Sequence, residues 1–239
     1  MADSIHWNEM YKKRIQEIPW EIERPPTELL ELLEDGRLKR CSALDIGCGG
    51  GSYSVFLAHK GFRVTAIDFS EEALKIARAR AKQAGLKIDF MKCDAREISK
   101  KTPKKFGFIL DYSLLHHLPF EDTEQYAQQI AELLMPGGKL LLVCYSEQDE
   151  DAHGKRIRTG KYGNEMYYRT EVEIRELFAA VGLKEIFYKP AALGKRLQHA
   201  AHCFLFEKPN AIEPDEKIAA GEAAKTASEL TSSKKTKKT

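Results

Sequence analysis

The sequence has no long apolar run, no paired-cysteine spacing and no excess of one charge. Its longest strongly apolar stretch is Leu140-Leu141-Leu142-Val143-Cys144, far short of the roughly 20 residues a membrane span needs. The first ten residues carry Asp3, His6 and Glu9 and lack the apolar centre of a secretory signal. The five cysteines (Cys41, Cys48, Cys93, Cys144, Cys203) are scattered and odd in number, with no C-x-x-C pair. They read as reduced thiols of a cytoplasmic protein, neither a disulfide frame nor a zinc site. Lys and Arg total 38 against 36 Asp and Glu. That balance argues against a surface built to grip nucleic acid.

What remains is 239 residues with 43% hydrophobic content, enough to fill one sizeable α/β domain or two small ones. Composition changes after Pro209. Residues 211–239 contain no aromatic side chain and end Lys234-Lys235-Thr236-Lys237-Lys238-Thr239. With so little to bury, this tail cannot offset its ordering entropy and is expected to be disordered.

Between Cys41 and Glu207 short β runs alternate with helical patterns. Strand candidates are Ser42–Ile46, Arg63–Ile67, Ile88–Lys92, Phe106–Tyr112, Leu140–Tyr145, Lys184–Tyr188 and Cys203–Glu207. Ser70 can cap a helix over Glu71–Ala84, with Gly85 as its stop. Asp122 with Gln125, and Thr170 with Glu173, fit capping boxes. Such alternation predicts a doubly wound, Rossmann-like, mostly parallel sheet. The last two strands come close together without a clear helix between them and suit an antiparallel hairpin at the sheet edge. Ligands of such sheets sit beyond the carboxyl ends of central strands. That points to the loops at Gly47, Asp68, Asp94, Asp111 and Ser146.

The run Asp45-Ile46-Gly47-Cys48-Gly49-Gly50-Gly51 ends a strand and opens a helix. Glycines there permit a tight turn and close approach of a ligand to the backbone. The dinucleotide spacing fails, because Ser52 stands where its third glycine belongs. Asp45 would also repel a pyrophosphate, whereas it suits a cationic ligand. Asp68, at the next strand end, can accept both hydroxyls of a ribose. Asp94 can accept from an adenine amino group.

These pieces, followed by Asp111-Tyr112-Ser113-Leu114-Leu115-His116-His117-Leu118-Pro119 and Leu134-Met135-Pro136-Gly137-Gly138-Lys139, resemble the motif series of class I S-adenosylmethionine-dependent methyltransferases. The resemblance implies a seven-stranded sheet with an antiparallel last strand and S-adenosylmethionine as cofactor. It implies that Gly47, Gly49 and Gly51 approach the methionine part of that cofactor, with Asp45, Cys48 and Phe69 also among its contacts. Asp68 would take the ribose and Asp94 and Ala95 the adenine. Asp111 and Tyr112 would lie beside the methionine end. Trp7, Tyr11 and Pro19-Trp20 resemble the small-molecule branch, which includes thiopurine, thiol or halide and tellurite-resistance methyltransferases. They imply a helical lid over residues 1–40, with Trp20 at the cofactor, ahead of a methyltransferase domain over 41–210. Equally, those aromatics could simply pin an amino-terminal helix to the domain.

His116, His117 and Tyr112 are the candidate catalytic residues. Transfer of a methyl from a sulfonium is an in-line displacement that needs alignment and desolvation first. The two histidines therefore read as pocket-lining, with a base role open for oxygen or nitrogen acceptors. Residues 146–169 either shape an acceptor pocket or form a surface loop. No metal-ligand spacing follows the fourth strand candidate, so no metal is expected. The reading is a methyltransferase with a small-molecule acceptor, monomeric or weakly dimeric. The alternatives are a non-catalytic cofactor-binding module or an enzyme acting on tRNA or protein.

Overall fold

The chain divides into two units, Met1–Pro209 and Asn210–Thr239. A computed structural model describes residues 4–12, 18, 24–160, 162–194 and 198–210. Trp20 and the tail from 211 onward lie outside the described residues. The elements run α1 (Ser4–Tyr11), α2 (Thr27–Glu34), β1 (Ser42–Ile46), α3 (Ser52–His59), β2 (Arg63–Asp68), α4 (Glu71–Gln83), β3 (Asp89–Lys92), α5 (Ile98–Lys101), β4 (Phe106–Tyr112) and α6 (Thr123–Leu133). They continue with β5 (Leu134–Tyr145), β6 (Ile157–Thr159), β7 (Glu165–Tyr167), α7 (Glu171–Ala180), β8 (Lys184–Leu193) and β9 (His199–Glu207).

Seven strands form one sheet in the order β3-β2-β1-β4-β5-β9-β8. β1 through β5 pair in parallel, and β9 is inserted antiparallel between β5 and β8. Only the last strand therefore runs against the rest, as the sequence predicts. β6 and β7 pair as a separate small hairpin within residues 146–169.

Strand periodicity fills both faces of the sheet. Leu44, Ile109, Leu140, Leu142, Phe204 and Phe206 point to one side, into a core closed by Tyr126 and Ile130 of α6 and Phe178 of α7. Ala43, Phe108, Leu110, Leu141, Val143 and Leu205 point to the other, against Leu29 and Leu32 of α2 and Leu57 of α3. Each large apolar side chain so buried contributes about 1.5–3 kcal/mol.

Helix boundaries follow local chemistry where it is decisive. Ser70 Oγ accepts the Ala73 amide at 3.2 Å and starts α4. Its acidic first turn and basic last turn suit the helix dipole. Gly85 follows in the left-handed region at φ +67. The Thr170–Glu173 capping box forms and opens α7. The Asp122–Gln125 box does not form. Asp122 turns its carboxylate to Arg96, and the Gln125 amide donates to the Arg96 carbonyl at 3.0 Å. An arginine on the neighbouring segment outcompetes the helix's own amides, because a charge-assisted contact is stronger. The fifth strand also starts earlier than predicted, running through Pro136-Gly137-Gly138, while α6 has already stopped at Leu133.

Candidate active site

The glycine loop leaves β1 through three left-handed residues, Gly47 at φ +71, Gly49 at +53 and Gly51 at +76. Two of them also lack room for a side chain. A Cβ on Gly51 would lie 2.7 Å from the Ala77 Cβ of α4, and one on Gly47 would lie 3.1 Å from the Leu114 side chain. The glycines thus bring α4 and the turn after β4 close to the loop. Asp68 fixes the loop from β2, accepting the Gly49 amide at 2.9 Å and the Ser70 amide at 2.8 Å. Cys48 is half-buried; its amide donates to the Ile67 carbonyl at 2.8 Å, and its side chain packs on the α2–α3 side of the sheet.

Asp45 is buried beneath this loop, and Ser54 Oγ of α3 donates to it at 2.5 Å. Burial, outweighing that hydrogen bond and aided by the charges of Asp68 and Asp111, raises its carboxyl to about 7. Three carboxylates at the ends of β1, β2 and β4 thus sense one another. Asp45 lies on the α3 face of the sheet, held by Ser54, and Asp111 on the α6 face, held by Tyr126. At the end of β3, Asp94 caps the short turn Ala95–Glu97 and grips Arg96 through Nε at 2.9 Å. Arg96 in turn holds the Asp94 carboxyl below its ordinary value, against the opposing effect of burial. Ala95 is buried beside it in the core.

Asp111 and Tyr112 are adjacent in sequence and on opposite faces of the sheet. Asp111 points toward α6, where Tyr126 donates to it at 2.6 Å and the Leu114 amide at 2.9 Å. Tyr112 points toward α2 and α3, its ring 5.0 Å from Tyr53 and its hydroxyl 3.5 Å from Glu28. Strand alternation sends the two neighbours to opposite sides of the sheet. Asp111 shapes the turn behind it. Ser113 follows at φ +82, a strained value for a residue other than glycine.

The two histidines are both held neutral. His116 is buried, its ring stacked 4.0 Å from Tyr145 and its Nδ1 accepting the Tyr145 amide at 3.3 Å. Burial pushes its pKa well below the usual imidazole value. His117 places Nδ1 3.3 Å from the Glu165 carbonyl and its ring edge-on to Trp7 at 4.9 Å. Burial lowers it to about 4. A proton on Nδ1 facing that carbonyl leaves Nε2 as an acceptor.

Trp7 and Tyr11 bury themselves against Ile18 and Ala73, with Phe69 packed alongside. Asn8 fastens the contact: its Oδ1 accepts from Ser70 Oγ at 2.8 Å and from the Glu72 amide at 3.3 Å. α1 therefore seats on the start of α4 and on His117. Phe69, expected among the cofactor's contacts, packs in this cluster.

Sequence reading missed the residues that brace the site from elsewhere in the chain. Arg169 is buried and donates to the carbonyls of Leu115, Leu118 and Tyr167 at 3.0, 2.7 and 3.1 Å. It thereby fixes the turn that carries both histidines. Ser54 and Tyr126 were missed for the same reason. Nothing local marks a polar residue on an otherwise apolar helix face as the partner of a distant acid.

Residues 43–138 match the family model described as a methyltransferase domain. A 2-heptyl-1-hydroxyquinolin-4(1H)-one methyltransferase of Mycobacteroides abscessus is 30% identical over 150 residues, 62% of this chain and 64% of that one. A ubiquinone biosynthesis O-methyltransferase of Xanthomonas euvesicatoria is 31% identical over 150 residues, 59% of this chain and 62% of that one. The chain thus spans less than two thirds of the length of these curated relatives. A solved structure described as "Conversion of a Disulfide Bond into a Thioacetal Group during Echinomycin Biosynthesis" superposes with a TM-score of 0.73. It is 21% identical, and the match covers 92% of this chain and 99% of that one; at that identity the likeness is one of fold. The comparisons thus show a match to a methyltransferase domain over residues 43–138 and a likeness of fold over most of the chain.

Proposed function

We propose that the chain transfers the sulfonium methyl of S-adenosylmethionine to a nucleophilic atom of a small-molecule acceptor. The observation that carries this reading is α1 seated on α4 and His117 beside the glycine loop. A segment closing over that end of the sheet leaves room for a small acceptor and excludes water.

The cofactor reading rests on charge and fit. The acids Asp45, Asp68 and Asp111 at the ends of β1, β2 and β4 favour a ligand that carries positive charge over a pyrophosphate, and a sulfonium with an α-ammonium carries it. Gly47, Cys48, Gly49 and Gly51 would hold its methionine portion, Asp68 the ribose and Asp94 with Ala95 the adenine. The bound cofactor supplies an electrophilic methyl whose leaving group departs uncharged.

The protein's own part is positioning. A His117 pKa of about 4 makes its imidazole a weak base at neutral pH, and His116 already spends Nδ1 on a backbone amide. Both therefore align and desolvate. An acceptor that is already nucleophilic, such as a thiolate, a ring nitrogen or an acidic hydroxyl, fits this site. The quinolone and ubiquinone relatives favour a hydroxyl on a planar ring as the first class to try. Among the described residues no helix is long and apolar enough to cross a membrane.

The test is a labelled-methyl transfer screen over hydroxyquinolones, catechols, thiols, halides and tRNA, run beside a thermal shift with S-adenosylhomocysteine. At ligand 100 times its Kd the stabilisation should approach about 2.7 kcal/mol. Asp68→Asn should reduce it. No shift sinks the cofactor reading, and transfer to tRNA alone sinks the small-acceptor reading. Trp7→Ala should lower kcat more than it raises KM for the cofactor.

A further inference from the structure

After β5 the chain runs Ser146-Glu147-Gln148-Asp149-Glu150-Asp151 and folds against the start of β9. Asp149 is the fixed point. It is buried, with Oδ1 accepting the Asp151 amide at 3.0 Å and Oδ2 the Ala200 amide at 2.5 Å. His199, the first residue of β9, presents Nδ1 3.2 Å from Asp149 Oδ1 and 3.5 Å from Asp151 Oδ2. One ligand atom from each of the three lies within 4.8 Å of the others.

A second observation points to the same place. Tyr168 is wholly buried, yet its hydroxyl has no hydrogen-bond partner among the described residues. Burial first, then the charge of Asp149, opposed by that of Arg158, and then Asp151 raise that phenol to about 12. The Tyr168 ring stacks 6.0 Å from Tyr145, whose ring in turn lies 5.0 Å from His199. A buried polar group left without a partner calls for a water or an ion.

We propose that Asp149, Asp151 and His199 bind a first-row divalent cation, with the Tyr168 hydroxyl donating to a water on that ion. Two carboxylates and one imidazole form a borderline donor set suited to Zn²⁺ or Mn²⁺. Separations of 3.2 and 3.5 Å match neighbouring ligand atoms held roughly 2.0–2.2 Å from one centre. The Asp151 side chain is 54% exposed, so it can swing to close the remaining gap. The Tyr145 ring, stacked on His116, lies 5.0 Å from His199. The ion would fasten the loop after β5 to β9 on the side of the sheet where that stack lies. The site stands on its own residues and does not depend on the methyl-transfer reading.

The experiment uses the full chain, stripped with a chelator and titrated by calorimetry with Zn²⁺ and separately with Mn²⁺. Co²⁺ substitution gives a visible spectrum that reports the ligands. One saturable site per chain is expected, with a raised Tm. Asp151→Asn and His199→Gln should each weaken binding by at least about tenfold and alter the Co²⁺ spectrum. Exposed Asp151 can be changed without disturbing the fold, which circular dichroism verifies. No saturable binding of either ion below about millimolar overturns the proposal, as does affinity unchanged in both variants.

Discussion

The Tyr126 hydroxyl donates to the Asp111 carboxylate at 2.6 Å, joining α6 to the end of β4 through a fully buried contact. Tyr126→Phe keeps the ring and removes one bond to a group whose carboxyl burial has raised to about 6. It should cost about 1.5–3 kcal/mol in urea denaturation at pH 7.5. The deficit should shrink as pH falls through 6 and Asp111 takes up its own proton. An equal deficit at pH 4.5 and 7.5 would mean that the bond does not serve the charged form.

Asp45 sets a second pH dependence. Its folded pKa of about 7 stands above its ordinary value of 3.8, so the folded state binds the extra proton. Its contribution is therefore fully present below pH 4 and lost as pH rises toward 7. Asp45→Asn removes this term. The stability of the native protein relative to the variant should fall between pH 4 and 7, by about 1.4 kcal/mol for each unit of pKa difference. Parallel stability curves for the two proteins would refute the shift.

Gly51→Ala combines two costs. The left-handed φ of +76 strains any side chain, and the new Cβ would meet Ala77 at 2.7 Å. The backbone strain alone is about 1–2 kcal/mol. The collision must be relieved by moving α4 away from the loop. Calorimetric binding of S-adenosylhomocysteine should weaken more than a loss of stability alone explains. Wild-type affinity in a folded Gly51→Ala protein would show that the approach of α4 is dispensable.

Arg169→Met should be among the most damaging single changes in the described part of the chain. It leaves the Leu115, Leu118 and Tyr167 carbonyls without their donor, at about 1–3 kcal/mol for each buried group left unsatisfied. Arg169→Lys should rescue little, because a point charge cannot reach three carbonyls arranged for a planar fork. Where the variant still folds, the stacking of His116 on Tyr145 should be lost, seen as a change in near-ultraviolet circular dichroism. A Tm within a few degrees of the native protein would sink this account.

Several elements were legible because the signal and its cause are both local. β1 and β4 begin and end where their apolar runs do, Ser70 and Thr170 cap the helices they precede, and Gly85 follows the helix it stops. The glycine loop and the strand-end acids Asp68 and Asp94 were legible for a related reason. In a parallel sheet the carboxyl end of each strand is a fixed address. The Asp122 cap was misread because its true partner, Arg96, lies on another segment. That Asp111 and Tyr112 face opposite sides of the sheet follows from the pleat of β4 and the helices each side packs on.

By itself the sequence determined the order of strands and helices, the loop that must be glycine and the acids at the strand ends. Each of these depends on backbone geometry within a few residues. Tertiary structure alone decided which partners those acids take, that both histidines are neutral, and that Asp149, Asp151 and His199 meet. Those outcomes depend on burial and on contacts between residues far apart in the chain. No period or spacing encodes them, and they exist only once the sheet has closed.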